Sequence, residues 1–141
     1  MAGSFDRYTT VEIDELKGHG FSRIDVADDT LTFYGMQGQP LFQMCHDQDC
    51  CEHVYLEDVV GDLDDLIGTP IFLAEESSSR IRPRDKLNED DADYWQVPDS
   101  ETWTFYKFAT MKGSVTLRWY GTSNGYYSER VSIHAWRDEI E

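Results

Sequence analysis

The sequence predicts an α+β fold that is mainly antiparallel β, arranged as two β-meanders with two short helices. Three observations carry that expectation. Val115, Leu117 and Trp119 share one face of a run whose other face carries Arg118 and Tyr120, the period-two pattern of a half-solvated antiparallel strand. Turn signals at Asp28-Asp29, Gly35 to Pro40, Lys112-Gly113 and Asn124-Gly125 separate the apolar runs. Helix signals are limited to two short stretches, each stopped by glycine.

In chain order, Thr9-Thr10-Val11-Glu12 reads as a Thr-x-x-Glu capping box that opens a helix through Lys17, with Gly18 and Gly20 as the stop. Phe21 to Tyr34 alternates through Ile24, Val26, Leu31 and Phe33 and is interrupted at Asp28-Asp29, which suggests two strands joined at a turn or one strand with a break. Leu41 to His46 is the return strand after the Gly35 to Pro40 turn, and Cys50 to Val60 is a third strand. Together these make the first meander, which would hold His46, Cys50 and Cys51 at facing strand ends. Gly61 to Gly68 reads as one helical turn with an Asp cap, and Pro70 opens a strand through Ala74. Residues 75–101, with Ser77-Ser78-Ser79, Arg80, Arg82, Arg84 and an acidic run from Glu89, read as a long mobile loop. Thr102 to Thr110, Val115 to Tyr120 and Tyr126 to Arg137 form the second meander, Asn124-Gly125 being a strong hairpin signal.

A chain of 141 residues with 40% apolar and 13% aromatic content is expected to fold as a single domain over 1–141. The Met1-Ala2-Gly3-Ser4 start leads into no apolar run of signal-peptide or membrane-spanning length. A cytoplasmic setting is the expectation. Three cysteines, two of them adjacent, fit a reducing compartment, because bridging neighbours would close a strained ring. The net charge of −16 argues against nucleic acid or an anionic membrane as partner and favours basic protein surfaces.

The densest chemistry lies in Cys45-His46-Asp47-Gln48-Asp49-Cys50-Cys51-Glu52-His53. Zinc takes four thiolate or imidazole ligands in a tetrahedron. The expected set is His46, Cys50, Cys51 and His53, with Cys45 or a carboxylate such as Asp49 as replacement for the last. The spacing differs from paired C-x-x-C motifs, and the competing reading makes the cysteines small buried hydrophobes. No Ser-His-Asp arrangement, nucleophile elbow, P-loop or dinucleotide fingerprint is present.

Two longer blocks carry a resemblance. His46-x-Gln48-Asp49-Cys50-Cys51-Glu52 is followed by Glu57-Asp58, Gly61-Asp62-Leu63 and Leu66-Ile67-Gly68-x-Pro70-Ile71. Thr102-Trp103-Thr104-Phe105-Tyr106-Lys107 is followed by Gly113, Val115, Arg118-Trp119-Tyr120-Gly121 and Ser123-Asn124-Gly125-Tyr126-Tyr127-Ser128. With Leu16-Lys17-Gly18, these resemble an uncharacterised family of small proteins encoded mainly by bacteriophages and prophages. The resemblance implies a phage origin and a host-cytoplasmic accessory protein, and it keeps His46, Cys50 and Cys51 while omitting Cys45 and His53. In charge, size and implied phage origin the chain is similar in general character to acidic anti-CRISPR and other anti-defence proteins, a likeness that transfers no site residues.

Three functions follow as expectations. The first is inhibition of a host defence system by binding a basic surface of a nuclease, such as a CRISPR nuclease, through Asp47, Asp49, Glu57, Asp58, Asp62, Asp64 and Asp65, with structural zinc bracing the fold. The second is sequestration of a nucleotide-like ligand on a face made of Arg118, Tyr120, Asn124, Tyr126, Tyr127 and Arg130. The third is a zinc hydrolase with Glu52 or Asp49 as base.

Overall fold

The computed structural model describes residues 8–136. Strands β1 (Tyr8–Thr10), β2 (Arg23–Ala27), β3 (Thr30–Tyr34), β4 (Pro40–Cys45) and β9 (Ser132–Trp136) form a sheet in the order β1-β9-β4-β3-β2. Strands β5 (His53–Val60), β6 (Leu73–Ile81), β7 (Ser100–Thr110) and β8 (Gly113–Ser123) form a second sheet in the order β5-β8-β7-β6. Neighbouring strands run antiparallel throughout both.

Alternation drives the packing. Leu31 and Phe33 of β3, Phe42 and Met44 of β4, and Ile133 and Ala135 of β9 are buried in one core with Tyr106 and Phe108 of β7 and Val115, Leu117 and Trp119 of β8. Phe33 and Phe108 meet across the two sheets with ring centroids 6.0 Å apart, a separation at which tilted rings attract through their quadrupoles.

The described residues contain no α-helix, so the class is mainly antiparallel β rather than α+β with two short helices. Thr9 and Thr10 lie in β1, opposite Ala135 and His134, so the supposed capping box is consumed by strand pairing. What remains is a single 3₁₀ turn at Ile13–Leu16, without a side-chain cap and anchored by buried Ile13 and Leu16. The second stretch is likewise a 3₁₀ turn, Leu63–Leu66, although Asp62 does cap it by accepting from the Asp64 N–H.

The first meander stops at β4. Strand β5 leaves for the edge of the other sheet, so β4 and β5 are not hairpin partners. Residues 75–101 are not one long loop either: Leu73–Ile81 pairs residue by residue with β7, and a 3₁₀ turn follows at Pro83–Lys86. The last strand does not return beside β8 but crosses to lie between β1 and β4. Arg137, its expected end, lies outside the described residues.

A buried carboxylate explains that crossing. Glu129 is buried and accepts from the hydroxyls of Thr102 and Ser123. Its Cβ sits where a side chain on Gly121 would need to be, 3.1 Å from an ideal Cβ at that position. Glu129 thus pins the segment after Asn124-Gly125 over the end of β8, and buried Val131 leads into β9, whose Ile133 packs into the shared core.

Candidate metal group and the loop around Glu52

The 46–52 loop is organised by Glu52, which is buried at 4% exposure. Its carboxylate accepts from the backbone N–H of Asp49 (2.8 Å) and of Cys50 (3.0 Å), and from His46 Nε2 (2.6 Å). Gln48 donates its side-chain amide to the Glu52 carbonyl at 2.6 Å, closing the loop a second time. Burial pushes the Glu52 carboxyl up, but the two backbone donors and His46 outweigh it, bringing it from the ordinary 4.5 down to about 2.

His46 faces an acceptor on both sides, because its Nδ1 lies 2.6 Å from the Arg130 carbonyl. Both ring nitrogens are therefore already engaged, one by the Arg130 carbonyl and one by the Glu52 carboxylate. Cys50 and Cys51 are joined to each other by a disulfide, against the expectation that neighbours would stay unbridged. His53 is exposed and packs against the Tyr55 ring at 5.0 Å. The structure therefore does not bring His46, Cys50, Cys51 and His53 together as a ligand set. Glu52, nominated as a hydrolytic base, is closed off by its own donors.

A different group could hold a metal ion. Cys45, Asp47 and His134 place one ligand atom each within 4.8 Å of one another. Strand pairing builds it: Cys45 faces Ser132 and Gln43 faces His134 across β4 and β9, so Cys45 and His134 project from one face of the sheet. Asp47 follows from the end of β4, 3.1 Å from His134 Nε2, while His134 Nδ1 lies 3.4 Å from the Thr10 hydroxyl. Burial, and secondarily the Asp47 charge, push the Cys45 thiol from 9.0 up to about 11, so it is protonated near neutrality. Sulfur, carboxylate oxygen and imidazole nitrogen are the donor types of a zinc-class ion, and three of them leave one tetrahedral position open.

A family model described as a domain of unknown function, DUF7448, matches residues 14–133. The chain belongs to the DUF7448 family. Both blocks that carry the sequence resemblance fall inside the matched span. Cys45 and Asp47 do as well, whereas His134 stands one residue beyond it. No curated protein and no solved structure matches the chain.

The acidic residues named from the sequence occupy different settings. Asp47 and Asp49 lie on the Glu52 loop, Glu57 and Asp58 on β5, and Asp62, Asp64 and Asp65 at the 3₁₀ turn. A bulge at Glu57 frees the Leu56 N–H from the ladder, and Asp29 from the β2–β3 turn accepts it at 3.1 Å. That contact draws Asp28 and Asp29 alongside Glu57 and Asp58. Asp28 and Asp29 hold φ of 52° and 58°, the left-handed backbone of a two-residue hairpin turn.

The residues nominated as a ligand face sit on different elements. Arg118 and Tyr120 lie on the outer face of the four-stranded sheet, Arg118 paired with Glu57 and Asp58 and Tyr120 bonded to Glu101. Asn124, Tyr126 and Tyr127 lie on the crossing segment, and Arg130 gives its carbonyl to His46. No helix of the described residues is long and apolar enough to cross a membrane.

Proposed function

We propose that this DUF7448 domain is a phage-encoded, zinc-holding accessory protein that acts in the host cytoplasm by binding a basic surface of a defence nuclease. One observation supports the reading above others. No lysine or arginine stands between Arg23 and Arg80, and within that run the Asp29 to Leu56 contact gathers carboxylates from both sheets into one exposed ridge. Arg118 offsets only part of that charge. A fixed field of one sign speeds encounter with an oppositely charged channel and weakens with salt.

In this reading Cys45, Asp47 and His134 would hold the zinc ion, which would stiffen the junction of β4 and β9. The test is a cleavage assay with purified CRISPR and other host-defence nucleases at about 50 and 500 mM salt, spanning strong and weak screening. The expected result is inhibition at low salt that disappears at high salt and in the doubly reversed variant D28K/D58K. Absence of inhibition of every nuclease at low salt, or full inhibition by that variant, overturns the proposal.

A further inference from the structure

Arginine recurs at every second position at Arg80, Arg82 and Arg84. Extended chain throws alternate side chains to the same side. Arg80 is the penultimate residue of β6, and Arg82 keeps extended backbone (φ −111°, ψ 101°) before Pro83 opens the 3₁₀ turn. The three guanidiniums line a cleft of about 830 Å³, completed by Tyr94, Trp95, Asn124 and Tyr126. Its volume lies in the range of roughly 300–1,000 Å³ found for small-ligand sites.

These arginines are committed to different degrees. Arg84 donates to the carbonyls of Tyr94 (2.7 Å) and Val97 (3.3 Å), pairs with Asp99 and lies 5.3 Å from the Trp95 ring centre. It is spent on holding the 94–99 segment in place. Arg80 donates Nε to the Ser100 hydroxyl (2.8 Å) and Nη2 to the Gly125 carbonyl (3.2 Å), leaving Nη1. The Arg82 side chain is exposed and makes no hydrogen bond or ion pair with a described residue; only its backbone carbonyl is engaged, accepting from the Asp85 N–H at 2.9 Å. Of the two carboxylates on the walls, Asp85 and Asp99, the second is neutralised by Arg84.

Aromatic surface is left in water beside these donors: Trp95 is 73% exposed and Tyr126 83%. A planar ligand stacked there would remove apolar area from solvent while its anionic part meets the arginines. We infer that this cleft binds a small nucleotide, with its phosphate on Arg82 and the free edge of Arg80 and its base on Trp95. A nucleic-acid strand is disfavoured, since it would have to pass the acidic remainder of a chain of charge −16. A mononucleotide inside the cleft meets the arginines first, and more distant charge is screened beyond about 8 Å at physiological salt.

The experiment is thermal denaturation of the full chain with 1 mM adenosine or guanosine monophosphate, a cyclic dinucleotide, adenosine, inorganic phosphate or a short single-stranded oligonucleotide. A nucleotide with Kd near 100 μM should raise Tm by about 5 °C, with adenosine and phosphate, each offering half of the ligand, raising it less. Arg82→Glu should abolish the shift and Trp95→Ala should reduce it. Arg82→Glu decides the matter alone if Trp95→Ala lowers the unliganded Tm. The inference is overturned if no nucleotide shifts Tm, if the shift survives Arg82→Glu, if phosphate alone gives the whole shift, or if only the oligonucleotide binds.

Discussion

The loop around Glu52 and the arginine cleft lie beyond opposite edges of the four-stranded sheet, at the same end, where His53, Thr122, Glu101 and Ile81 line up in one row across its strands. Their polar groups are used in opposite ways. In the loop, Glu52 takes two backbone donors and a histidine, and His46 spends its other nitrogen on the Arg130 carbonyl. In the cleft, Arg82 and part of Arg80 face solvent beside exposed rings. A buried carboxylate must have its donors supplied by the fold, so the loop is self-contained. Exposed guanidiniums have no such requirement and stay open to a ligand.

The largest effect expected from this contrast is on stability. Glu52→Ala strips the acceptor from His46 and from two amide N–H groups at once, and thermal denaturation should show Tm lower by roughly 10 °C. Arg82→Ala should change it by less than about 2 °C. Equal effects of the two would break the comparison. The same contrast has a pH signature. Glu52 is held at about 2 against an ordinary 4.5. Because the folded value is the lower one, its contribution is complete above about pH 4.5 and is lost as pH falls toward 2. Denaturant midpoints measured across that window should fall more steeply for the wild type than for Glu52→Gln.

Metal binding should give the next largest effect. The Cys45 thiol, raised to about 11, must lose its proton to coordinate, so apparent zinc affinity should rise about tenfold per pH unit between pH 6 and 8 for the one proton released by Cys45. Titration with cobalt, read by its thiolate charge-transfer absorption, checks the ligand directly. Cys45→Ser should remove that band, while Cys50→Ser should leave it. A band that follows Cys50 would restore the sequence-derived ligand set.

Legibility divided along the same line. Strands β2, β3, β4, β7 and β8 were readable because each is a local alternation bounded by its own turn, as with Val115, Leu117 and Trp119. The partners of β5 and β9 were not. Ser132–Trp136 is apolar enough for either sheet, and only the Glu129 anchor and the opening between β1 and β4 decide its place. The metal group shared that fate, since Cys45 and His134 become neighbours only through the β4–β9 pairing. By contrast, the Arg-x-Arg-x-Arg spacing is plain in the sequence, but the serines and acids around it point to a mobile loop instead of the strand running into a 3₁₀ turn that the chain forms.

The smallest expected effect concerns what holds the Glu52 loop closed. A disulfide stabilises chiefly by shortening the loops open to the unfolded chain, and Cys50 and Cys51 are adjacent, so their bridge encloses almost no chain. The carboxylate of Glu52, in contrast, ties His46, Asp49 and Cys50 together whether or not the sulfurs are joined. Reduction should therefore lower Tm by less than about 2 °C, and Glu52→Ala should remain strongly destabilised in either redox state. Denaturation of both proteins with and without reductant separates the two contributions. A large loss on reduction in the wild type alone would mean that the disulfide, not the carboxylate, sets the shape of the loop.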